Sequence, residues 1–186
     1  MKRRVLGLTV FFVLVAVACG FAQQQPAPAR QPDVVFVPTP PDVVDAMLRL
    51  AKVTSSDVVY DLGSGDGRIV IAAARMYGAR GVGIDIDPER TREAAANARA
   101  AGVADKVSFR TEDLFMADIS PATVVTLYLS PSINGRLAAK LMKELKPGTR
   151  IVSHAFDLGS WKPQQRITVS DRPIFLWTVA STAASR

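Results

Sequence analysis

The chain has 186 residues, 48% hydrophobic and 22% charged, the length of one domain and the composition of a folded one. Its net charge of +6 falls to +3 once Lys2, Arg3 and Arg4 are set aside, a surplus too small and too dispersed to mark a nucleic-acid surface. One cysteine, Cys19, and one histidine, His154, exclude an intrachain disulfide and a Cys or Cys/His zinc site, and no G-x-S-x-G elbow accompanies His154 to suggest a Ser–His–Asp triad.

Residues 1–22 open with Lys2-Arg3-Arg4 and continue as an apolar run from Val5 to Ala22. Small residues at Gly20 and Ala22 suit cleavage before Gln23, so the segment reads as a secretory signal peptide. At about 18 residues the run is also long enough to stay as a membrane anchor. Export or membrane anchoring is the expected destination; a start codon further downstream would leave a cytoplasmic enzyme instead. Residues 23–36 hold Gln23-Gln24-Gln25 and prolines 26, 28 and 32, a Pro/Gln-rich linker without a core of its own. The folded domain is expected over residues 37–186.

From there strands and helices alternate. Thr39 suits a helix cap, Pro40 the first helical position and Asp42 the first turn, and Val43, Met47, Leu50 and Ala51 mark one apolar face. Val58-Val59-Tyr60 reads as a first strand, followed by a helix from Gly67 to Tyr77. Gly81 to Ile84 reads as a second strand, and Asp87-Pro88 opens a helix that stops at Gly102. Val107 to Phe109 is a third strand. Thr123 to Tyr128 is a fourth, apolar enough to be buried on both faces. Ser130-Pro131 opens a helix striped by Ile133, Leu137, Leu141 and Leu145. Lys146-Pro147-Gly148 places Pro and Gly as a type II turn requires. Arg150 to Phe156 is a fifth strand, and two more, Arg166 to Ser170 and Ile174 to Val179, must be antiparallel because no crossover helix fits between them. The expected fold is α/β: a doubly wound, Rossmann-like, seven-stranded sheet, mostly parallel, with an antiparallel C-terminal hairpin.

A ligand is expected at the carboxyl ends of the first strands, where the chain reads Asp61-Leu62-Gly63-Ser64-Gly65-Asp66-Gly67. A glycine loop between strand and helix lets a ligand approach the backbone. It is not a dinucleotide fingerprint, because Arg68 stands where the third glycine of G-x-G-x-x-G belongs, and no G-K-[ST] follows. Asp61 and Asp66 would repel a pyrophosphate and suit a cationic ligand. S-adenosylmethionine, with its ammonium and sulfonium, has that character. Asp85 ends the second strand, where it can accept from both ribose hydroxyls. Asp113, after the third strand, is placed to accept from the adenine amino group.

These residues resemble the S-adenosylmethionine-dependent class I methyltransferases. Flanking blocks narrow the likeness: Val37-Pro38-Thr39-Pro40, Met47 to Ala51, Asp61 to Val70, Leu129-Ser130-Pro131-Ser132, and Phe156 to Pro163 with Trp161. They are similar to the small protein-lysine methyltransferases, a group that includes the mitochondrial enzymes acting on the ATP synthase c-ring protein and the adenine nucleotide translocase. The resemblance implies S-adenosylmethionine as methyl donor without a metal. It implies a protein acceptor with an accessible lysine, membrane-embedded as in those relatives, and no nucleic acid. It implies cofactor contacts at Asp61, Gly63, Ser64, Gly65, Gly67, Asp85, Asp113 and Leu114.

Methyl transfer to an amine needs alignment more than acid–base machinery. The polar groups nearest the expected transfer point are Tyr128 and Ser130, the candidate catalytic residues. The sequence there, Leu127-Tyr128-Leu129-Ser130-Pro131, lacks the [DN]-P-P-[YF] of many enzymes that methylate nucleobases or glutamine. His154 reads either as a structural histidine or as part of an acceptor pocket, and Trp161 either as a channel wall or as packing under the hairpin. On the residues alone a small-molecule N- or O-methyltransferase and a non-catalytic exported S-adenosylmethionine-binding module are the alternatives.

Overall fold

The structure, a computed structural model, describes residues 35–181. The expected leader over residues 1–22, and the linker through residue 34, lie outside the described residues. Among those described, no helix is long and apolar enough to cross a membrane.

The chain runs through α1 (Pro41–Leu50), β1 (Val58–Leu62), α2 (Arg68–Tyr77), β2 (Arg80–Asp85), α3 (Pro88–Ala100), β3 (Val107–Thr111), β4 (Val124–Leu127), α4 (Pro131–Glu144), β5 (Arg150–His154), β6 (Gln165–Val169) and β7 (Arg172–Thr178). These strands form one seven-stranded sheet in the order β3-β2-β1-β4-β5-β7-β6. The pairs among β1 to β5 are parallel; β7 pairs antiparallel with both β5 and β6. This is the expected doubly wound sheet with its antiparallel finish.

Side-chain alternation explains the two layers. Val59, Val124, Val152 and Leu176 point to one face and pack with α1, α2 and Ala98 of α3. Tyr60, Val125, Ile151 and Trp177 point to the other and meet Leu137 and Leu141 of α4. The link between β3 and β4 holds no helix, and its Ala117, Ile119 and Ala122 are buried against that second face. The expected Lys146-Pro147-Gly148 turn is present, with Gly148 at φ +85° and Thr149 N donating to Lys146 O at 3.1 Å.

Two local expectations are corrected. Thr39 does not cap α1: Pro40 is the N-cap without a side-chain bond, Pro41 takes the first position, and the Thr39 hydroxyl turns instead toward His154. The C-terminal hairpin does not turn at Asp171-Arg172-Pro173. It turns at Ser170-Asp171, both at positive φ, and Val169 pairs with Arg172. A two-residue turn of that hand matches the twist of the strands, and the Ser170 hydroxyl donates to Asp42 at 2.6 Å.

Candidate active site

β1 and β4 are neighbours at the centre of the sheet, with Leu62 paired to Leu127. After β1 the chain crosses to α2 on one face; after β4 it crosses to α4 on the other. The divergence leaves a cleft beyond the carboxyl ends of the strands. The glycine loop fills the turn out of β1. Gly63 N and Ser64 N both donate to Ile84 O, at 2.8 and 3.0 Å. Gly65 N donates to Asp85 Oδ2 at 2.8 Å, and Asp87 N to Asp85 Oδ1 at 3.0 Å. Asp85 therefore ties the loop to the end of β2.

The loop tolerates no side chains at its glycines, of which Gly63 and Gly65 lie nearest the cleft. Gly63 has φ +80°, and a Cβ there would lie 2.6 Å from Leu129 Cδ2. Gly65 has φ +52°, and a Cβ would lie 2.1 Å from the Phe36 ring. At Gly63 the bare backbone faces the cleft, as a ligand passing over the loop requires; at Gly65 it admits the Phe36 ring.

A cavity of about 440 Å³ opens over this loop, within the ordinary range for small-molecule sites. Of the residues expected at the site, Asp61, Gly63, Ser64, Asp85, Asp113, Leu114 and Tyr128 line it together. Gly65, Gly67 and Ser130 do not. Gly65 lies under Phe36, Gly67 is the N-cap of α2, and Ser130 is the N-cap of α4, its Oγ accepting from Ile133 N at 3.5 Å and bonded to Ser132 Oγ at 3.0 Å. Asp113 lines the cavity and also braces its own turn, accepting from Phe115 N at 2.9 Å. Asp66 lines the cavity with its charge engaged: its carboxylate is clasped by the Arg68 guanidinium, so the pair of free carboxylates expected beside the loop reduces to Asp61.

Asp61 is 3% exposed. Burial pushes its carboxyl up to about 7; Thr126 Oγ1, donating at 2.7 Å, works against that rise, and the nearby Asp85 and Asp66 charges add to it. A group poised in this way ionises readily when a cation is placed beside it.

A strap completes the cavity; its Val37, Pro38 and Thr39 belong to a block that carries the family resemblance, whereas motif reading misses Val35 and Phe36 and the wall they form. Val35, Phe36, Val37, Pro38 and Thr39 run along the cavity as one wall. The Arg90 guanidinium lies 5.2 Å over the Phe36 ring, and Arg68 Nη1 donates to Thr39 O at 2.9 Å. Val35 and Phe36 thus stand in the cavity wall although composition groups them with the linker. An aromatic among valines inside a proline-rich stretch is the one signal that pointed to them. Trp161 packs under the hairpin, its carbonyl accepting from Trp177 Nε1 at 2.8 Å, and does not line the cavity.

Sheet order, bare glycine loop and strand-end acids together define a class I S-adenosylmethionine-dependent methyltransferase. The ANTKMT methyltransferase domain matches residues 61–165, and the chain belongs to that family. It is 50% identical over 141 residues to a protein-lysine N-methyltransferase of Saccharolobus islandicus (strain REY15A), spanning 75% of this chain and 88% of that one. It is 36% identical over 105 residues to the adenine nucleotide translocase lysine N-methyltransferase of Mus musculus, covering 56% of this chain and 46% of that relative. The chain thus spans about half the length of the mouse enzyme. A crystal structure described as an RNA methyltransferase from Salinibacter ruber in complex with S-adenosyl-L-homocysteine superposes with a TM-score of 0.78 at 56% identity, over 81% of this chain and 98% of that one. S-adenosylmethionine is the cofactor, and the cavity fits a cationic ligand of its size: Gly63 presents bare backbone to it, and Asp61, Asp85 and Asp113 line it.

Proposed function

We propose that the chain is a protein-lysine N-methyltransferase. One observation carries the choice: the 50% identity over 141 residues to the protein-lysine N-methyltransferase of Saccharolobus islandicus. The cavity adds to it. Asp61, Asp66, Asp85, Asp87 and Asp113 line it against Arg68 and Arg90, an acid excess that serves the cationic donor first and opposes a phosphate backbone. The description of the Salinibacter ruber structure favours a second reading, RNA as acceptor. The lack of [DN]-P-P-[YF] after β4 and the acid excess argue against it.

S-adenosylmethionine supplies a methyl group on a sulfonium, which an amine displaces in line. In this reading Asp61 faces the cationic part of the donor, Asp85 accepts from the ribose hydroxyls, and Asp113 and Leu114 hold the adenine. The acceptor amine enters between the strap and the Tyr128–Leu129 wall. A lysine, with a reference pKa of about 10.4, must shed its proton first, at a cost on the order of 4 kcal/mol near neutral pH. Val35, Val37, Leu129 and Ile133 make that side of the cavity apolar, which disfavours the ammonium and offsets part of the cost. Tyr128 is the polar group at hand; Ser130 would act only by starting α4 beside it.

Residues 1–22 would carry the domain to a membrane, as a cleaved signal peptide or a retained anchor. Fractionation with N-terminal sequencing tests this: a soluble cytoplasmic product beginning near Val34 would refute it. The acceptor is tested by incubating the protein with methyl-labelled S-adenosylmethionine and a cell extract, then separating protein from RNA. Label in the protein fraction is expected; label confined to RNA selects the second reading.

A further inference from the structure

One residue without a part in this scheme stands directly behind the cavity wall. His154, the sole histidine of the chain, is the last residue of β5 and is 1% exposed. Its ring lies against Tyr128, with centroids 3.9 Å apart and planes at 34°. Its Nδ1 is 3.4 Å from Thr39 Oγ1. Tyr128 and Thr39 both line the cavity, one just past the end of β4 and one from the strap. His154 touches both from behind.

Three observations set this apart from ordinary packing. First, Nε2 is buried with no hydrogen-bond partner among the described residues. An unpaired buried nitrogen is costly, and a phenylalanine would fill the space without it. What the imidazole adds is its other nitrogen, at Thr39. Second, the backbone just beyond is strained. Ala155 has φ +67°, and Phe156 N donates to His154 O at 2.8 Å, closing a γ-turn that a residue with a Cβ adopts reluctantly. The strain is held by Ala155 N donating to Pro173 O at 2.8 Å and by Ser153 Oγ donating to Phe156 O at 2.6 Å. Strain maintained in this way concentrates at functional sites. Third, Thr39 is gripped twice, by His154 at its hydroxyl and by Arg68 at its carbonyl, and Arg68 also clasps Asp66 of the glycine loop. Cofactor loop, strap and Tyr128 wall meet through these contacts.

We propose that His154 is a positioning residue. By stacking on Tyr128 and holding Thr39, it fixes the strap against the Tyr128 wall, and so the line on which the acceptor amine meets the methyl group. This rests on the reading of the cavity as the transfer site. Burial, with the Arg172 charge adding to it and Asp42 opposing, holds the imidazole far below its usual range, at about 4. The ring is neutral at working pH and places no second positive charge beside a cationic donor. Alignment is also where a methyltransferase that assigns no residue to acid–base catalysis has most to lose.

The test compares His154→Phe, Thr39→Val, Thr39→Ser and the double variant His154→Phe/Thr39→Val. Turnover is read on whichever polymer the wild type labels, and S-adenosylmethionine binding is read by calorimetry. His154→Phe should lower kcat about 10-fold or more while the cofactor Kd stays within about 2-fold, the signature of lost alignment rather than lost binding. Thr39→Val should fall in the same direction, Thr39→Ser should stay near wild type, and the double variant should be no worse than His154→Phe, because both remove one contact. As the only histidine, His154 also gives one set of imidazole ¹⁵N signals, which Thr39→Val should shift. Wild-type kcat in His154→Phe and Thr39→Val, losses that multiply in the double variant, or a kcat that falls only in step with cofactor affinity would each overturn the proposal. If His154→Phe fails to fold, Thr39→Val decides alone, since it leaves the imidazole in place. A wild type that binds cofactor but labels neither protein nor RNA overturns the proposed function itself, and this inference with it.

Discussion

Replacing Asp61 with asparagine separates what this buried acid costs the fold from what it gives the cofactor. Burial lifts its carboxyl from the ordinary 3.8 to about 7. At 1.36 kcal/mol per tenfold in the equilibrium, that rise corresponds to roughly 4 kcal/mol opposing ionisation in the free protein. The folded value lies above the unfolded one, so the native state holds the proton longer. The stability tied to that proton is fully present below pH 4 and is lost as pH rises through 7. Asparagine carries no such charge, and its carbonyl can still accept from Thr126, whose hydroxyl lies 2.7 Å from Asp61 Oδ1. Its amide leaves a buried donor to satisfy, at about 1–3 kcal/mol. The cofactor-free variant should therefore be more stable than wild type at pH 8 by about 1–3 kcal/mol, and no more stable at pH 4. Cofactor binding should move the other way. A cation beside Asp61 needs the carboxylate, so wild-type affinity for S-adenosylmethionine should weaken about tenfold from pH 8 to pH 6, roughly fivefold of it between pH 7 and pH 6, with proton release, and level off above pH 8. Asparagine should lose about 1.5–3 kcal/mol of binding and the pH dependence with it. Thermal melts at pH 4 and 8, and calorimetry at pH 6, 7 and 8 in two buffers of different ionisation enthalpy, measure both. A wild-type affinity flat across that range, with no stabilisation of the variant at pH 8, would refute the placement of the cation at Asp61.

Asp85→Ala should weaken S-adenosylmethionine binding by about 1.5–3 kcal/mol in calorimetry, and normal binding would overturn the ribose assignment. Gly65→Ala should destabilise the protein by about 1–2 kcal/mol in denaturant melts and weaken cofactor binding, because its Cβ meets the Phe36 ring at a positive φ; adding Phe36→Ala should recover part of the loss. Turnover should rise from pH 7 to pH 9 as more acceptor amine is deprotonated, and a profile falling over that range would contradict an amine acceptor. EDTA should leave turnover unchanged; activity lost to EDTA and restored by a divalent ion would point to a metal-dependent O-methyltransferase.

The strand-end acids are legible in the sequence because each closes or follows a short apolar run. Asp61, Asp85 and Asp113 come together once parallel pairing is inferred, and local spacing alone suffices to place them. The strap is not legible, because its partners are distant in sequence. Phe36 meets Gly65 and Arg90, and the Thr39 hydroxyl meets His154, 115 residues on. Thr39-Pro40-Pro41-Asp42 looks like a cap, and only the tertiary fold shows that the hydroxyl is taken elsewhere. The hairpin turn fails for a different reason. Ser170 and Asp171 adopt positive φ without glycine, while Pro173, which reads as a breaker, sits inside β7 opposite Thr168. Asp66 is a local case: Arg68, two residues on, takes its charge, and only side-chain geometry shows it.

The lysine assignment is tested most directly by the identity of the methylated residue. Acceptor protein labelled with the purified wild type is hydrolysed to amino acids and separated, with Asp85→Ala processed alongside. The label should elute as N-methylated lysine and should be sharply reduced in Asp85→Ala. Label in nucleotides, in glutamine or in a small molecule, with none in lysine, would contradict it.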